Sequence, residues 1–218
     1  MIPFHKTLCC ALVGAAQLAG AAEAVSTVIV PQQTISLFDG KTLTGWTGFA
    51  RSNAPVEQIW SVADGVIRCT GKPSGYLRTV QPYADYVLSV EWRFTKPGNT
   101  GVIVHANGDE KVWQASVECQ GAHGRQGDFY LWSGVHCDQP FTKGKTGIPA
   151  ATPGVEKPVG EWNLYQVRCA GDQVVVSVNG AEVNRITGCS VKSGWIGLQS
   201  EGGEFEVRRV TLEPLPKQ

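Results

Sequence analysis

Three strand-like segments between Gly98 and Gly134 carry acid–base, amide and aromatic side chains at alternating positions. Because successive side chains of a β-strand point to opposite faces, one face of each segment is apolar and the other is polar or aromatic. A carboxylate, an imidazole, an amide and aromatic rings on one surface suit a sugar-like ligand. The segments span residues 102–106, 116–120 and 129–132, and their second face is predicted to gather His105, Glu118, Gln120, Tyr130 and Trp132.

The elements that must position these side chains are strands throughout. Turn signals such as Asp64-Gly65 and Gly171-Asp172 separate the strand-length segments, and no stretch shows a sustained helical period. Asn179-Gly180 between two valine-rich runs predicts a tight hairpin, since this dipeptide accepts positive φ angles. About a dozen short strands predict an all-β fold. A two-sheet antiparallel jelly-roll sandwich is preferred because it offers a concave face for a ligand. The loop at 141–160, rich in Gly, Pro, Lys and Thr, is expected to border that face.

Composition limits the class of protein. Of the 218 residues, 42% are hydrophobic and 17% charged, which favours a packed domain over disorder. The formal net charge is zero, so the basic surface that nucleic-acid binding requires is not indicated. No nucleic-acid partner is therefore predicted.

The N-terminus has the pattern of an export signal. An apolar, alanine-rich run without charges follows His5 and Lys6, and Ala22-Glu23-Ala24 fits a small-residue cleavage site. The run is short for a bilayer-spanning helix, although an N-terminal anchor is the alternative. We predict a signal peptide at 1–24, a linker at 25–34 and a single jelly-roll domain at 35–218. The mature protein is expected to be secreted or periplasmic, with no stable membrane insertion.

Five cysteines remain after the predicted signal. In an oxidising compartment some of them should pair, and the odd number leaves at least one unpaired. The preferred bridge joins Cys169 to Cys189 and the second joins Cys119 to Cys137, although sequence alone does not fix the connectivity.

Several segments together resemble a family of secreted bacterial proteins, the 3-keto-disaccharide hydrolases, also described as 3-keto-glucoside lyases and hydratases. Each segment is short, but their order covers nearly the whole chain after the predicted signal. The resemblance implies a concanavalin-like jelly roll that acts on oxidised, 3-keto sugars or glycosides. The matching segments are 37–46, 60–67, 75–79, 99–102, 112–113, 116–120, 160–163, 178–180 and 194–202.

The chemistry implied by this resemblance is β-elimination followed by hydration. The carbonyl at C3 acidifies the C2 proton, so a base can remove it and the C1 substituent can depart; adding water to the enone completes a net hydrolysis. Such a reaction needs a base of near-neutral pKa, an acid for the leaving oxygen and a donor for the enolate. Glu118 is the expected general base or acid, because burial between apolar neighbours should raise its pKa. His105 is its expected acid–base partner.

The remaining candidates are assigned to substrate binding. Gln120 and Gln199 could bind sugar hydroxyls, and Arg78 and Lys111 could polarise the ketone. Tyr130 and Trp132 could stack on a sugar face. Glu201, beside glycines after a strand, could reach the same face.

Two questions stay open at this point. A divalent metal held by His105, Glu118 and one loop histidine (His123 or His136) is an alternative, although no dense ligand spacing supports it. A non-catalytic, lectin-like carbohydrate-binding module is the alternative function, since fold does not fix function. A structural or interaction protein is the third reading, and it would leave Glu118 exposed or salt-bridged.

Overall fold

The computed structural model describes residues 27–108, 110–142, 144 and 146–217, and within these residues the fold is a β-sandwich without an α-helix. Two short 3₁₀ turns, Arg51–Asn53 and Val56–Gln58, follow the second strand. The strands are β1 Ile35–Ser36, β2 Trp46–Ala50, β3 Trp60–Ala63, β4 Val66–Cys69, β5 Gly75–Thr79, β6 Tyr86–Phe94, β7 Gly101–Asn107, β8 Ala115–Gln120, β9 Phe129–Trp132, β10 Gly147–Ile148, β11 Asn163–Ala170, β12 Gln173–Val178, β13 Ala181–Ile186, β14 Trp195–Ser200 and β15 Phe205–Pro214.

The strands form two antiparallel sheets. The larger sheet has the order β13-β12-β11-β6-β15-β4-β3, with β1 also paired to β15. The smaller sheet has the order β10-β9-β8-β7-β14-β5-β2. In both sheets, strands that follow one another along the chain are separated by strands from distant parts of the chain, as in a jelly roll. The predicted all-β, two-sheet architecture is confirmed.

The hydrophobic core lies between the sheets. Strand β11 alternates strictly between buried and half-buried residues, which is the pattern of a strand with one face on a core. Large rings fill the centre: Trp92 packs on Tyr165 at 4.7 Å between ring centroids and on Phe205 at 6.3 Å. Close aromatic packing of this kind adds to the burial of apolar area. The smaller sheet contributes Val102, Val104, Val117 and Cys119 to the same core.

The turn chemistry agrees with the sequence reading. Asn179 and Gly180 have φ angles of 51° and 87°, and Val178 pairs with Ala181 across them. This is the two-residue hairpin that the Asn-Gly dipeptide predicts. The sequence reading missed two strands, β2 and the short β10, which lies inside the predicted loop at 141–160.

The predicted signal and the predicted disulfides have different outcomes. The predicted signal at 1–24 lies outside the described residues, while Ile29, within the predicted linker, forms a bridge to Tyr83. Within the described part of the chain, no helix has the length and apolar character needed to span a bilayer. The two predicted disulfides are not formed, since all five described cysteines are free thiols. Four of them are buried, namely Cys69, Cys119, Cys169 and Cys189.

Candidate active site

Glu118 lies in a row of side chains across the outer face of the smaller sheet, the face turned away from the core. The strand registers place Arg78 opposite Gly197, Gly197 opposite Ile103, Ile103 opposite Glu118, and Glu118 opposite Tyr130. Directly paired residues in a sheet project from the same face. Five strands therefore bring a guanidinium, a carboxyl and a phenol onto one surface, as alternation along the sequence predicted for the carboxyl and the phenol.

A second row runs alongside the first. Tyr76 is opposite Gln199, and Gly101 is opposite Gln120. Gly101 leaves room for the carboxyl, because a Cβ at this position would lie 3.2 Å from Cγ of Glu118 and 3.3 Å from its Oε1. A methyl group at this position would press on the Glu118 side chain, so the glycine gives the carboxyl its room.

The carboxyl of Glu118 is removed from solvent although it lies on the outer face. The residue is only 2% exposed, and burial raises the pKa of its carboxyl from an ordinary value of 4.5 to about 7. Four further groups act on it: a hydrogen bond from Trp132 Nε1 to Oε2 at 2.7 Å lowers the pKa, the neighbouring Glu201 raises it, and Gln199 and Arg125 lower it. At neutral pH this group therefore exchanges readily between acid and base, as a general acid–base catalyst must.

Beside Glu118 two amide carbonyls have no hydrogen-bond partner among the residues that the structure describes. Asn99 donates from Nδ2 to Oε2 of Glu201 at 2.7 Å, which leaves its own Oδ1 buried and unpaired. The buried Gln199 donates to Glu118, and its Oε1 is also unpaired. Buried acceptors without partners are uncommon and destabilising. Sugar hydroxyl groups would satisfy both.

Three aromatic rings form a surface next to the carboxyl, here called the aromatic strip: Trp113, Trp132 and Tyr130. Tyr130 stacks on Trp132 with centroids 6.0 Å apart and planes 12° apart, and Trp113 packs on Trp132 at 5.7 Å. Trp113 is 37% exposed, so the strip reaches the solvent. Stacked aromatic faces of this kind suit the apolar face of a sugar ring or an aryl group.

Arg78 and Tyr76 lie on β5, across the sheet from the strip. Arg78 pairs with Glu110 at 2.8 Å and stacks over Trp195 at 4.3 Å. Tyr76 donates its hydroxyl to Oε1 of Gln114 at 3.1 Å. Burial and then Glu110 raise the pKa of Tyr76 to about 12, so its phenol stays protonated and remains a hydrogen-bond donor.

The other predicted binding residues have distinct environments. Gln120 uses its Oε1 to accept from the backbone N–H groups of Gly121 and Ala122, at 2.9 and 3.0 Å, which is a structural role for that oxygen. Lys111 is exposed in the loop after β7 and lines a cavity with Arg51, away from the row of Glu118. Glu201 follows β14 and is tied to Asn99, and burial raises its pKa.

The prediction that His105 shares a face with Glu118 is wrong. The pairing of β7 shifts register between Val104 and Asn107, and His105 has a φ of 53° within this bulge. A bulge adds one residue to a strand and reverses the alternation beyond it. The imidazole therefore turns into the sandwich, where it meets the buried Tyr86 ring edge-on at 6.3 Å and Nδ1 lies 3.1 Å from the carbonyl oxygen of Val191. Burial lowers its pKa to about 4, so the ring is neutral.

This position also excludes the specific metal ligand set suggested by the sequence. His105 lies on the core side of the sheet, while Glu118 lies on the outer side. His123 instead approaches Glu156, with Nδ1 3.4 Å from Oε2. No group of three or more His, Cys, Asp or Glu side chains among the described residues is arranged to hold a metal ion.

Sequence reasoning missed three residues of the site. Asn99 was not among the predicted site residues, yet its amide donates to Glu201. Trp113 and Tyr76 were not singled out, because each reaches the site through strand pairings that the order of residues along the chain does not reveal. A hint was available for Tyr76. It lies two residues from the predicted site residue Arg78, and residues two apart share a face on a strand that pairs regularly, as β5 does.

The fold and site together define a class: a concanavalin-like jelly-roll sandwich with a buried carboxyl and an aromatic strip on the outer face of one sheet. The chain belongs to the family of 3-keto-alpha-glucoside-1,2-lyase-like domains, whose family model matches residues 33–213. The resemblance inferred from sequence is thereby confirmed.

Individual relatives agree with this assignment. A 3-keto-disaccharide hydrolase from Bacteroides thetaiotaomicron is 26% identical over 175 residues, covering 68% of this chain and 57% of the relative. The chain thus spans little more than half the length of that relative.

Solved structures share the fold. A candidate glycosyl hydrolase from Parabacteroides distasonis has a TM-score of 0.62 at 22% identity, covering 84% of this chain and all of the other. A carbohydrate-binding module, CBM66, from Bacillus subtilis has a TM-score of 0.56 at 14% identity, covering 78% of this chain and 96% of the module. These two proteins represent an enzyme class and a binding class on one architecture, so fold alone does not choose between them.

Proposed function

We propose that this protein cleaves 3-keto-glycosides by β-elimination and hydration, with Glu118 as the acid–base group. The observation that carries the proposal is the state of its carboxyl, which is 2% exposed and has its pKa raised to about 7. A base of this pKa is matched to removing a carbon-bound proton that a neighbouring ketone has acidified. Membership of the 3-keto-alpha-glucoside-1,2-lyase-like family supports the same substrate class.

The proposed reaction takes place on the outer face of the smaller sheet. The Glu118 carboxylate takes the proton from C2, the C2–H electrons form the C1–C2 double bond of the enone through an enolate, and the C1–O bond breaks. The departing oxygen takes a proton, which the newly formed carboxylic acid or water supplies. Water then adds at C1 and a proton returns to C2, giving the free 3-keto sugar.

Neighbouring groups have supporting roles in this proposal. The Arg78 guanidinium on β5, whose Nε has no partner among the described residues, is the donor for the ketone oxygen and the enolate, while the Tyr76 hydroxyl, kept protonated by its raised pKa of about 12, holds Gln114. The unpaired carbonyls of Gln199 and Asn99 accept from sugar hydroxyls. Trp132 holds the carboxyl through its indole N–H and offers its ring to the substrate. Such preorganised donors stabilise developing charge without rearrangement.

The test is turnover of a defined substrate. Purified protein is incubated with 3-keto-trehalose or 3-keto-lactose, with and without added divalent metal ions, and sugar release and the enone intermediate are followed by NMR. The variant Glu118→Gln should lose nearly all activity, whereas Glu213→Gln, an exposed glutamate at the end of β15, should keep it. A fully active Glu118→Gln enzyme with retained fold refutes the assignment.

The second candidate is a non-catalytic carbohydrate-binding module. The aromatic strip favours it, since exposed aromatic rings bind sugars without any acid–base group. Saturable sugar binding without turnover, unaffected by Glu118→Gln, would support the module. The structural-protein alternative predicted an exposed or salt-bridged Glu118, and the observed group is buried and bonded to an indole instead. Export to the periplasm or medium remains part of the proposal and is tested by fractionating cells that express the full chain.

A further inference from the structure

A separate cavity lies at the end of the aromatic strip. Its volume is about 390 Å³, and Phe49, Arg51, Lys111 and Trp113 are among the residues that line it. We call it the basic pocket. It is formed by the end of β2, the 3₁₀ turn that follows β2, and the loop after β7, so none of its residues belongs to the row of Glu118.

The basic pocket is continuous with the proposed active site on two sides. Trp113 packs on Trp132 at 5.7 Å, and the Trp132 indole donates to Glu118 at 2.7 Å. Phe49 stacks on Tyr76 with centroids 5.6 Å apart and planes 23° apart. The Trp132 indole is therefore the one ring that stands between the carboxyl and the Trp113 wall of the pocket.

The charged side chains that line the basic pocket are both positive. Arg51 and Lys111 line it, and no acidic side chain does so among the described residues. Arg78, only one strand from Phe49, is neutralised by Glu110, but neither Arg51 nor Lys111 is paired with a carboxylate within the described chain. Two uncompensated cations beside apolar rings form a site for an anion carried on a ring.

The Arg51 side chain is already oriented for this role. Its guanidinium lies over the Trp113 ring, 5.0 Å from the centroid. Stacking uses the face of the guanidinium and leaves its N–H edges free, and these edges match a carboxylate. The aromatic ring thus holds the cation without satisfying its donors.

We propose that the basic pocket binds an acidic group on the leaving half of the substrate, so that the enzyme prefers 3-keto-glycosides with an anionic aglycone. This inference rests on the proposed function of the Glu118 site. The leaving half is favoured because C1 is adjacent to C2, the carbon whose proton Glu118 must reach. The acid would be a carboxylate on an aryl group or on a uronic acid residue.

The experiment compares substrates of equal size. They are the 3-keto-glucosides with 4-carboxyphenyl and 4-carbamoylphenyl aglycones, and a 3-keto-glucosyl uronic acid disaccharide beside its neutral glucose counterpart. We expect kcat/KM to be roughly tenfold higher for each acid, mainly through KM, as charge-assisted hydrogen bonds allow. The preference should decrease as salt is raised from 0.05 to 0.5 M, because these cations are partly solvated. If the acid is preferred in only one of the two pairs, that pair identifies whether the pocket accepts an aryl carboxylate or a uronic acid.

Variants separate the pocket from the catalytic site. Lys111→Gln and Arg51→Gln should each reduce the preference at least threefold and leave turnover of the carbamoyl substrate unchanged. Lys41→Gln, another exposed lysine, should leave both unchanged. Equal kcat/KM for acid and amide in the unmodified enzyme overturns the basic pocket while leaving the proposed function intact.

A binding measurement tests the basic pocket even when the protein turns over none of the substrates. Failure on every 3-keto substrate, including 3-keto-trehalose, counts against the proposed function. Calorimetry with the unoxidised 4-carboxyphenyl and 4-carbamoylphenyl glucosides then tests the pocket alone. Tighter binding of the acid that is lost in Lys111→Gln supports it, and equal affinities refute it.

Discussion

Replacing Glu118 by glutamine should inactivate the protein and, above neutral pH, make it more stable. The folded state raises the pKa of this carboxyl from 4.5 to about 7, mainly through burial. A raised pKa means that the folded protein holds the proton more tightly than the unfolded chain does. The group's favourable contribution is therefore complete below pH 4.5 and is lost as the pH rises through 7. Glutamine carries no charge at any of these pH values, so the variant does not lose this stability as the pH rises.

The magnitude follows from the two pKa values. Each pH unit between them changes the free energy of unfolding by about 1.4 kcal/mol for one proton. The interval from 4.5 to about 7 therefore corresponds to ~3 kcal/mol, an upper figure because glutamine will not pack identically. For a domain of this size that difference raises Tm by about 6–12 °C at pH 8 and by nothing at pH 4.

His105 should change the stability with pH in the opposite direction to Glu118. Burial lowers the pKa of its imidazole from 6.5 to about 4, so the unfolded chain binds a proton in this interval and the folded protein does not. Its contribution is complete above pH 6.5 and is lost as the pH falls through 4. Between pH 4.5 and 6.5 the two groups therefore cancel in the unmodified protein. Glu118→Gln should show stability that rises with pH there, and His105→Asn stability that falls.

Chemical denaturation at half-unit steps from pH 4 to 8 measures this directly. The quantity to compare is the slope of the unfolding free energy with pH, because His105→Asn will also lose packing and be less stable at every pH. Asparagine is chosen because it tolerates the positive φ at this position. Glu213→Gln serves as the control and should follow the unmodified protein. A difference between Glu118→Gln and the unmodified protein that does not change with pH would refute the assigned desolvation.

Two further predictions concern the same carboxyl. Trp132→Phe removes the hydrogen bond to Glu118, so the acidic limb of the pH profile of kcat/KM should move up by about one pH unit, whereas Trp113→Phe should leave the limb in place. An unmoved limb in Trp132→Phe would mean that the bond does not influence the ionisation. Gly101→Ala places a methyl group 3.2 Å from Cγ of Glu118, and we expect at least a tenfold loss of kcat with unfolding free energy reduced by about 1–3 kcal/mol, measured by NMR turnover and denaturation. Normal activity in that variant would show that the carboxyl can move aside.

The sequence predicted the strands well where pairing is regular. The predicted segments 116–120 and 129–132 lie within β8 and β9, and the predicted Asn179-Gly180 hairpin joins β12 to β13, because alternating runs between turn residues leave few other choices. Strand β2 was missed because Trp46–Ala50 contains a glycine and its three central residues are all half-buried, so buried and exposed positions do not alternate.

The face of each side chain could be predicted only as far as the period of two holds. It holds through β8 and β9, so Glu118, Tyr130 and Trp132 lie together as predicted. It fails in β7 at His105, where one residue with positive φ shifts the register and sends the imidazole into the core. Nothing in the local composition signals that bulge. The neighbours of Glu118 on other strands depend on sheet order, and sheet order is set by long-range packing.

The site is the part of the sheet that folding alone would not favour. A carboxyl is taken out of water, and the carbonyls of Gln199 and Asn99 are buried without partners in the described part of the chain. Each of these features destabilises the free protein, and each is relieved by the same event, the arrival of a ligand that brings a proton to Glu118 and hydroxyl groups to the carbonyls. A purely structural sheet gains nothing from this arrangement, and a lectin needs only the hydroxyl partners and the aromatic strip. Sugar binding does not need the raised pKa, whereas proton transfer uses it, so turnover that depends on the ionisation of Glu118 is the property that separates an enzyme from a binding module on this fold.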